Sequence, residues 1–93
     1  MSRFRKRPVE VEAVQWRGPG PTSSAAMEFA GTRTTEDGTE LVFVPLAYPT
    51  AKLWVEANQA WVQIEPGEWL IRDSRGIYPC KPDIFDLTYE PVA

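Results

Sequence analysis

The residues best suited to chemistry lie in two short segments near the end of the chain, at 66–72 and 78–85. Both segments combine rigid turn formers with aromatic and cationic side chains. Aromatic rings stack on planar groups, and guanidinium and ammonium groups bind phosphates. We therefore predict a binding site for an anionic or planar partner, composed of Trp69, Arg72, Arg75, Tyr78 and Lys81.

Two further tryptophans could join this site. Strands at 53–55, 61–64 and 69–72, if they lie side by side, would place Trp54 and Trp61 next to Trp69. The competing interpretation is core packing, because a tryptophan in a small domain usually supplies buried area. For Arg72, Arg75 and Lys81, the competing interpretation is that they lie on a solvated face and bind no ligand.

Catalytic chemistry has little support in the composition. The chain has no histidine, the commonest general base, and a single cysteine, so neither a thiol/imidazole pair nor an internal disulfide can form. The remaining enzymatic candidates are Cys80, Lys81 and Asp83. Cys80 and Lys81 are neighbours on an extended segment and point to opposite sides, which favours an inert cysteine. Acidic residues lack the spacing of known metal loops, so we expect no metal and no cofactor.

We expect a single domain, residues 1–93. Charge is distributed unevenly along it. Four of the ten basic residues fall in an arm at 1–7, which leaves six basic against thirteen acidic residues from position 8 onward. An acidic body argues against a phosphate-tracking surface, so nucleic acid binding is expected only through the arm. The alternative for the arm is a poorly ordered terminus. No apolar run is long enough for a membrane span, and the single cysteine fits a reducing cytoplasm.

The hydrophobic pattern predicts an α+β fold. Alternating apolar residues indicate a first strand at 9–16 with a bulge near Ala13 and Val14, followed by one short helix at about 22–30. Thr22, Ser23 or Ser24 could cap that helix. Short strands follow, at 32–35, 41–44, 53–55, 61–64, 69–72 and 87–90. We expect a strongly curved antiparallel sheet or a small β-barrel.

Both ends of the chain carry a family resemblance. The start, Arg3 to Trp16, is similar to K-F-R-K-K-P-V-x-x-E-A-x-Q-W, and the end to G-D-W-I-I-x-G-x-x-G-E-x-Y-P-C-K-P-D-I-F-x-x-T-Y-E, with a variable middle. The chain thus resembles a group of small proteins encoded by bacteriophages and prophages. It departs from them at Glu68, at Asp73, and in a hairpin one residue shorter before Tyr78.

The resemblance implies a setting and no specific chemistry. It implies expression in the host cytoplasm, where small phage proteins block a host factor or sequester a defence signal. Our leading hypothesis is a non-enzymatic module that binds a host protein or a small nucleotide-like ligand. The alternatives are a small enzyme that uses Cys80 and Lys81, and a virion-associated structural protein. Open strand edges also predict a homo-oligomer.

Overall fold

The computed structural model describes residues 1–5 and 9–92, and within them it confirms the α+β class. Residues 1–5 are exposed and belong to no helix or strand, and the remainder of the predicted arm lies outside the described residues. The chain order is β1 (Glu12–Gln15), α1 (Pro21–Ala30), β2 (Thr32–Thr35), β3 (Gly38–Leu41), β4 (Phe43–Pro45), β5 (Ala51–Val55), β6 (Ala60–Ile64), β7 (Trp69–Asp73), β8 (Gly76–Cys80) and α2 (Pro82–Thr88).

These strands form three separate antiparallel sheets, of order β1-β7-β8, β2-β3 and β4-β5-β6. The prediction of one curved sheet or a closed barrel is therefore wrong. The reason lies in the turn between β6 and β7, where the Gly67 amide donates to the Trp16 carbonyl at 2.7 Å and the Trp16 amide donates to the Glu68 carbonyl at 2.9 Å. These bonds direct β7 onto β1, so β6 and β7 never pair.

The core lies between the two three-stranded sheets and helix α1. Its largest members are fully buried: Trp16, Phe43, Leu53, Ile64 and Leu70. The Trp16 and Phe43 rings meet edge to face with centroids 5.4 Å apart, a favourable arrangement for aromatic quadrupoles. Strand β5 shows the alternation of a half-buried strand, because Ala51, Leu53 and Val55 are buried and the residues between them are not.

Helix α1 confirms the predicted helix, with Pro21 in its first turn and Gly31 just past its end. The predicted hydroxyl cap is wrong, since the N-cap is Gly20 and no side chain caps the helix. Ser23 instead accepts a 3.0 Å hydrogen bond from the buried Trp16 indole. That bond satisfies a polar group that would otherwise be buried without a partner, so it outweighs capping.

Three strand predictions change in the structure. The first strand is shorter than predicted and pairs without a bulge, Ala13 opposite Ile71 and Val14 opposite Leu70. The strand predicted at 41–44 is interrupted at the buried residue Val42. The strand predicted at 87–90 is absent, because the turn beginning at Pro82 continues as helix α2 through Thr88.

No helix in the described part of the chain has both the length and the apolar character needed to cross a membrane.

Candidate functional site

The predicted aromatic cluster is divided between two sheets. Strand β6 pairs with β5, whereas β7 pairs with β1 and β8. Trp54 and Trp61 therefore lie on one sheet, while Trp69 and Tyr78 lie on the other. The prediction that strands 61–64 and 69–72 are neighbours is wrong, and the two aromatic groups have different surroundings.

Trp69 and Tyr78 pack within the protein. Trp69 stacks on Phe85 of α2 with ring centroids 4.0 Å apart and planes 5° apart, and the Tyr89 ring packs against Phe85 with centroids 5.1 Å apart. Burial raises the pKa of Tyr78 above its ordinary range, and hydrogen bonding with Tyr89 and the nearby Asp73 carboxylate raises it further. These contacts hold α2 against the β1-β7-β8 sheet.

Arg72 connects this sheet to α1. Its guanidinium donates a hydrogen bond to the carbonyl of Phe29 and lies over the Phe29 ring at 4.2 Å. The same guanidinium is 3.6 Å from the Glu12 carboxylate. Phe29 lies in the last turn of α1, where carbonyls lack helical partners and attract cations. Arg72 thus joins strand β7 to helix α1.

Lys81 also has an internal partner. Its ammonium is 3.2 Å from the carboxylate of Glu68, whose side chain is only 5% exposed. The same carboxylate oxygen accepts a 2.6 Å hydrogen bond from the Glu65 amide, across the turn at Pro66 and Gly67. Buried charges need such partners. The Lys81 ammonium therefore lies against Glu68, whereas the sequence led us to expect it to face a ligand.

Of the five predicted residues, Arg75 has the most exposed charge. Its side chain is 81% exposed at the tip of the β7-β8 hairpin, with its guanidinium 3.6 Å from Asp73. The structure thus places four of the five predicted residues in packing contacts or internal ion pairs, namely Trp69, Arg72, Tyr78 and Lys81, and leaves the Arg75 side chain largely in solvent.

A different surface gathers aromatic and cationic groups that are half-buried. On the solvent side of the β4-β5-β6 sheet, Trp54 and Trp61 are directly opposite each other, and their rings meet edge to face at 5.6 Å. Arg33 lies over the Trp54 ring at 3.8 Å, and Lys52 lies over the Trp61 ring at 4.0 Å. We call these four residues the tryptophan face.

Sequence reasoning identified the two tryptophans of this face but neither cation. Lys52 has the same strand parity as Trp54, and the hairpin register places both on one side with Trp61. That signal was available from the alternation alone. Arg33 comes from the separate β2-β3 hairpin, so its position over Trp54 is a long-range contact without a local signal.

The two cations differ in their charge partners. Arg33 forms an ion pair with Glu40 across the β2-β3 hairpin. Lys52 has no carboxylate within 4.0 Å among residues 1–5 and 9–92. Lys52 is therefore the charge on this face that an incoming anion could use without breaking an ion pair.

One carboxylate borders the face. The Trp54 indole donates a 2.6 Å hydrogen bond to Glu56, and the Gln59 amide donates to the other carboxylate oxygen at 2.9 Å. These two bonds, with a smaller contribution from Arg33, hold the pKa of Glu56 below its usual range. Glu56 fixes the orientation of the Trp54 ring.

Other possible sites are less developed. A depression of about 400 Å³ is lined by Glu10, Val11, Glu12, Arg72 and Asp73 and is mainly acidic. Among the described residues, no group of three or more metal-ligating side chains could hold a metal ion. Cys80 is half-buried, and burial, with the nearby acids Asp83 and Glu68, raises the pKa of its thiol.

No family model, no curated protein and no solved structure matches this chain.

Proposed function

We propose that this chain is a non-enzymatic binding module of phage origin that acts in the host cytoplasm. Its partner is a host protein or a small nucleotide-like ligand, bound through the tryptophan face. One observation carries the proposal: two opposed tryptophans remain partly exposed, each with a cation over its ring. The phage setting rests on the resemblance of the two chain ends.

Trp54 is half-buried and packs against the core, so packing accounts for part of this face but not for the cation over each ring. The opposite side of the same sheet already supplies a buried core through Leu53, Val55 and Ile64. Tryptophan and arginine are enriched among the residues that dominate binding energy, because they combine large apolar area with a polar group. Aromatic side chains grouped on a solvent face are therefore typical of recognition surfaces.

The enzymatic alternative loses support at its proposed nucleophile. A cysteine reacts as its thiolate, and the pKa of Cys80 is raised rather than lowered. Lys81, which would have to favour the thiolate, is instead bound to Glu68. A measured turnover that depends on Cys80 would overturn the non-enzymatic proposal.

The test uses tagged protein recovered from infected host cells and examined by native mass spectrometry. Wild type should retain a discrete small molecule or host subunit. Lys52→Glu and Trp61→Ala should lose it, and thermal melts would show that the variants are folded. Tyr48→Ala is the matched control, because Tyr48 is an aromatic residue that is 84% exposed outside the tryptophan face.

Two results would contradict the proposal. Equal retention by wild type and both face variants would place recognition elsewhere. Mass spectrometry of purified virions addresses the structural alternative, since a cytoplasmic module should be absent from the particles and a virion component should be present in fixed copy number.

A further inference from the structure

We infer that the tryptophan face binds a nucleoside phosphate, with the base stacked on Trp61 and the phosphate held by Lys52. This inference rests on the proposed function and specifies its ligand class. It follows from three features of the face: the partial exposure of Trp61, the position of the Lys52 ammonium, and the ion pairing of the neighbouring cation.

The Lys52 ammonium now occupies the site that a base would take. It lies 4.0 Å from the centre of the Trp61 ring. A cation over an exposed ring contributes less than a nucleobase stacked on that ring. The flexible lysine stem allows the ammonium to move aside, and no ion pair within the described residues restrains it. Exchange of ammonium for base on the ring is therefore favourable.

The displaced ammonium then gains a stronger partner. The phosphate, carried on the ribose of the stacked nucleoside, would bind the Lys52 ammonium, and a hydrogen bond between two charged groups is stronger than the cation–ring contact it replaces. Both parts of the ligand are needed for this exchange: the base must displace the ammonium, and the phosphate must bind it.

Trp54 and Arg33 form the fixed side of the site. The Trp54 plane stands at 69° to the Trp61 plane, so it borders a base stacked on Trp61 rather than covering it. The Arg33–Glu40 ion pair and the Trp54–Glu56 hydrogen bond both hold this side in place. A preorganised wall reduces the ordering cost of binding.

The overall charge limits the size of the ligand. Long single strands require a groove of cations along the backbone, but the chain from position 8 onward has thirteen acidic and six basic residues. A ligand with one or two phosphates needs only the local charge of Lys52. The face therefore fits a small nucleotide better than a nucleic acid polymer.

The experiment titrates the purified full chain with the monophosphates of adenosine, guanosine, cytidine and uridine, followed by calorimetry and tryptophan fluorescence. The four matching nucleosides, ribose 5-phosphate and inorganic phosphate serve as partial ligands. At least one nucleotide should bind saturably, and its nucleoside alone and ribose 5-phosphate alone should each bind at least about tenfold more weakly.

Variants separate the two contacts. Trp61→Ala should weaken nucleotide binding about 10- to 100-fold, as expected for loss of one stacking contact. Lys52→Met retains the stem, so folding is preserved; it should weaken nucleotide binding about tenfold, while nucleoside binding should be no weaker, because the ammonium no longer competes for the Trp61 ring. Arg75→Met removes an exposed cation outside the tryptophan face and should change neither nucleotide binding nor nucleoside binding.

The inference is overturned if none of the four nucleotides binds saturably up to about 5 mM, or if Lys52→Met and Trp61→Ala bind as wild type does. Failure of this inference can be distinguished experimentally from failure of the proposed function. If the face variants lose a host protein in the infected-cell experiment while no nucleotide binds, the module stands and its ligand is a protein.

Discussion

Removal of the Lys81 ammonium should destabilise the fold, because it leaves the buried Glu68 carboxylate with a single hydrogen bond, from the Glu65 amide. Breaking a fully buried ion pair costs about 3–5 kcal/mol. Here the Lys81 side chain is 59% exposed, so water replaces part of the lost interaction. We expect Lys81→Met to lower the free energy of unfolding by about 1–2 kcal/mol.

A double-mutant cycle isolates this contribution. For a domain of this size, about 1 kcal/mol corresponds to about 4–8 °C in melting temperature. Lys81→Met should therefore melt about 5–15 °C below wild type, as measured by circular dichroism and checked by urea denaturation. In a Glu68→Gln background the same substitution should cost less than about 0.5 kcal/mol, because the neutral amide no longer needs a cation.

Arg75→Met is the matched control, since its cation also forms an ion pair, with Asp73, but is 81% exposed. It should change stability by less than about 0.5 kcal/mol. The reasoning is refuted if Lys81→Met melts with wild type, or if its cost is the same in the Glu68→Gln background. The first result would mean that Lys81 is free to meet a ligand, as the sequence suggested, and the second that its contribution to stability does not come from Glu68.

Four other outcomes are expected. Arg72→Met should cost about 1–2 kcal/mol in urea denaturation, through loss of the bond to the α1 carbonyl. Cys80 should alkylate slowly at pH 7 and faster as pH rises, as followed by mass spectrometry, because its pKa is raised. Because the pKa of Tyr78 is raised in the folded protein, the neutral phenol contributes to stability in full below about pH 10. That contribution falls as the pH rises further, toward the raised pKa, and a lower melting temperature at alkaline pH would show it. The lowered pKa of Glu56 means that its hydrogen bond to Trp54 is retained at pH 5 and lost on further acidification, with a change in tryptophan emission.

Local features of the fold were predictable because local rules determine them. The turn at Pro66–Gly67 follows from a proline that fixes φ and a glycine at φ 98°, with the Glu68 amide bonded to the Glu65 carbonyl. The hairpin of β5 and β6 follows from two alternating segments separated by a short connection. Helix α1 follows from its proline start and the glycine after its end.

Sheet order was not predictable, because the hydrogen bonds that set it join distant residues. The pairing of β7 with β1 depends on contacts between Trp16 and the turn around Gly67, about fifty positions apart. Helix α2 was predicted only as one helical turn at 82–85, for a related reason. The segment after that turn has strand-like residues, but Phe85 stacks on Trp69 and Tyr89 packs against Phe85 one helical turn later, and these contacts override local propensity.

The same tertiary contacts explain why the candidate site in the structure lies in a different part of the chain from the site predicted from the sequence. The two ends of the chain fold together, since β1, β7 and β8 form one sheet and α2 stacks on it through Trp69. Their charged residues are used for packing: Arg72 holds α1, and Lys81 holds a turn. The tryptophan face belongs to the middle of the chain, where the sheet buries one side and leaves Trp54 and Trp61 on the other. A motif rich in aromatic and charged residues can therefore mark a scaffold, while a pair of alternating strands between such motifs carries the surface that we propose for recognition.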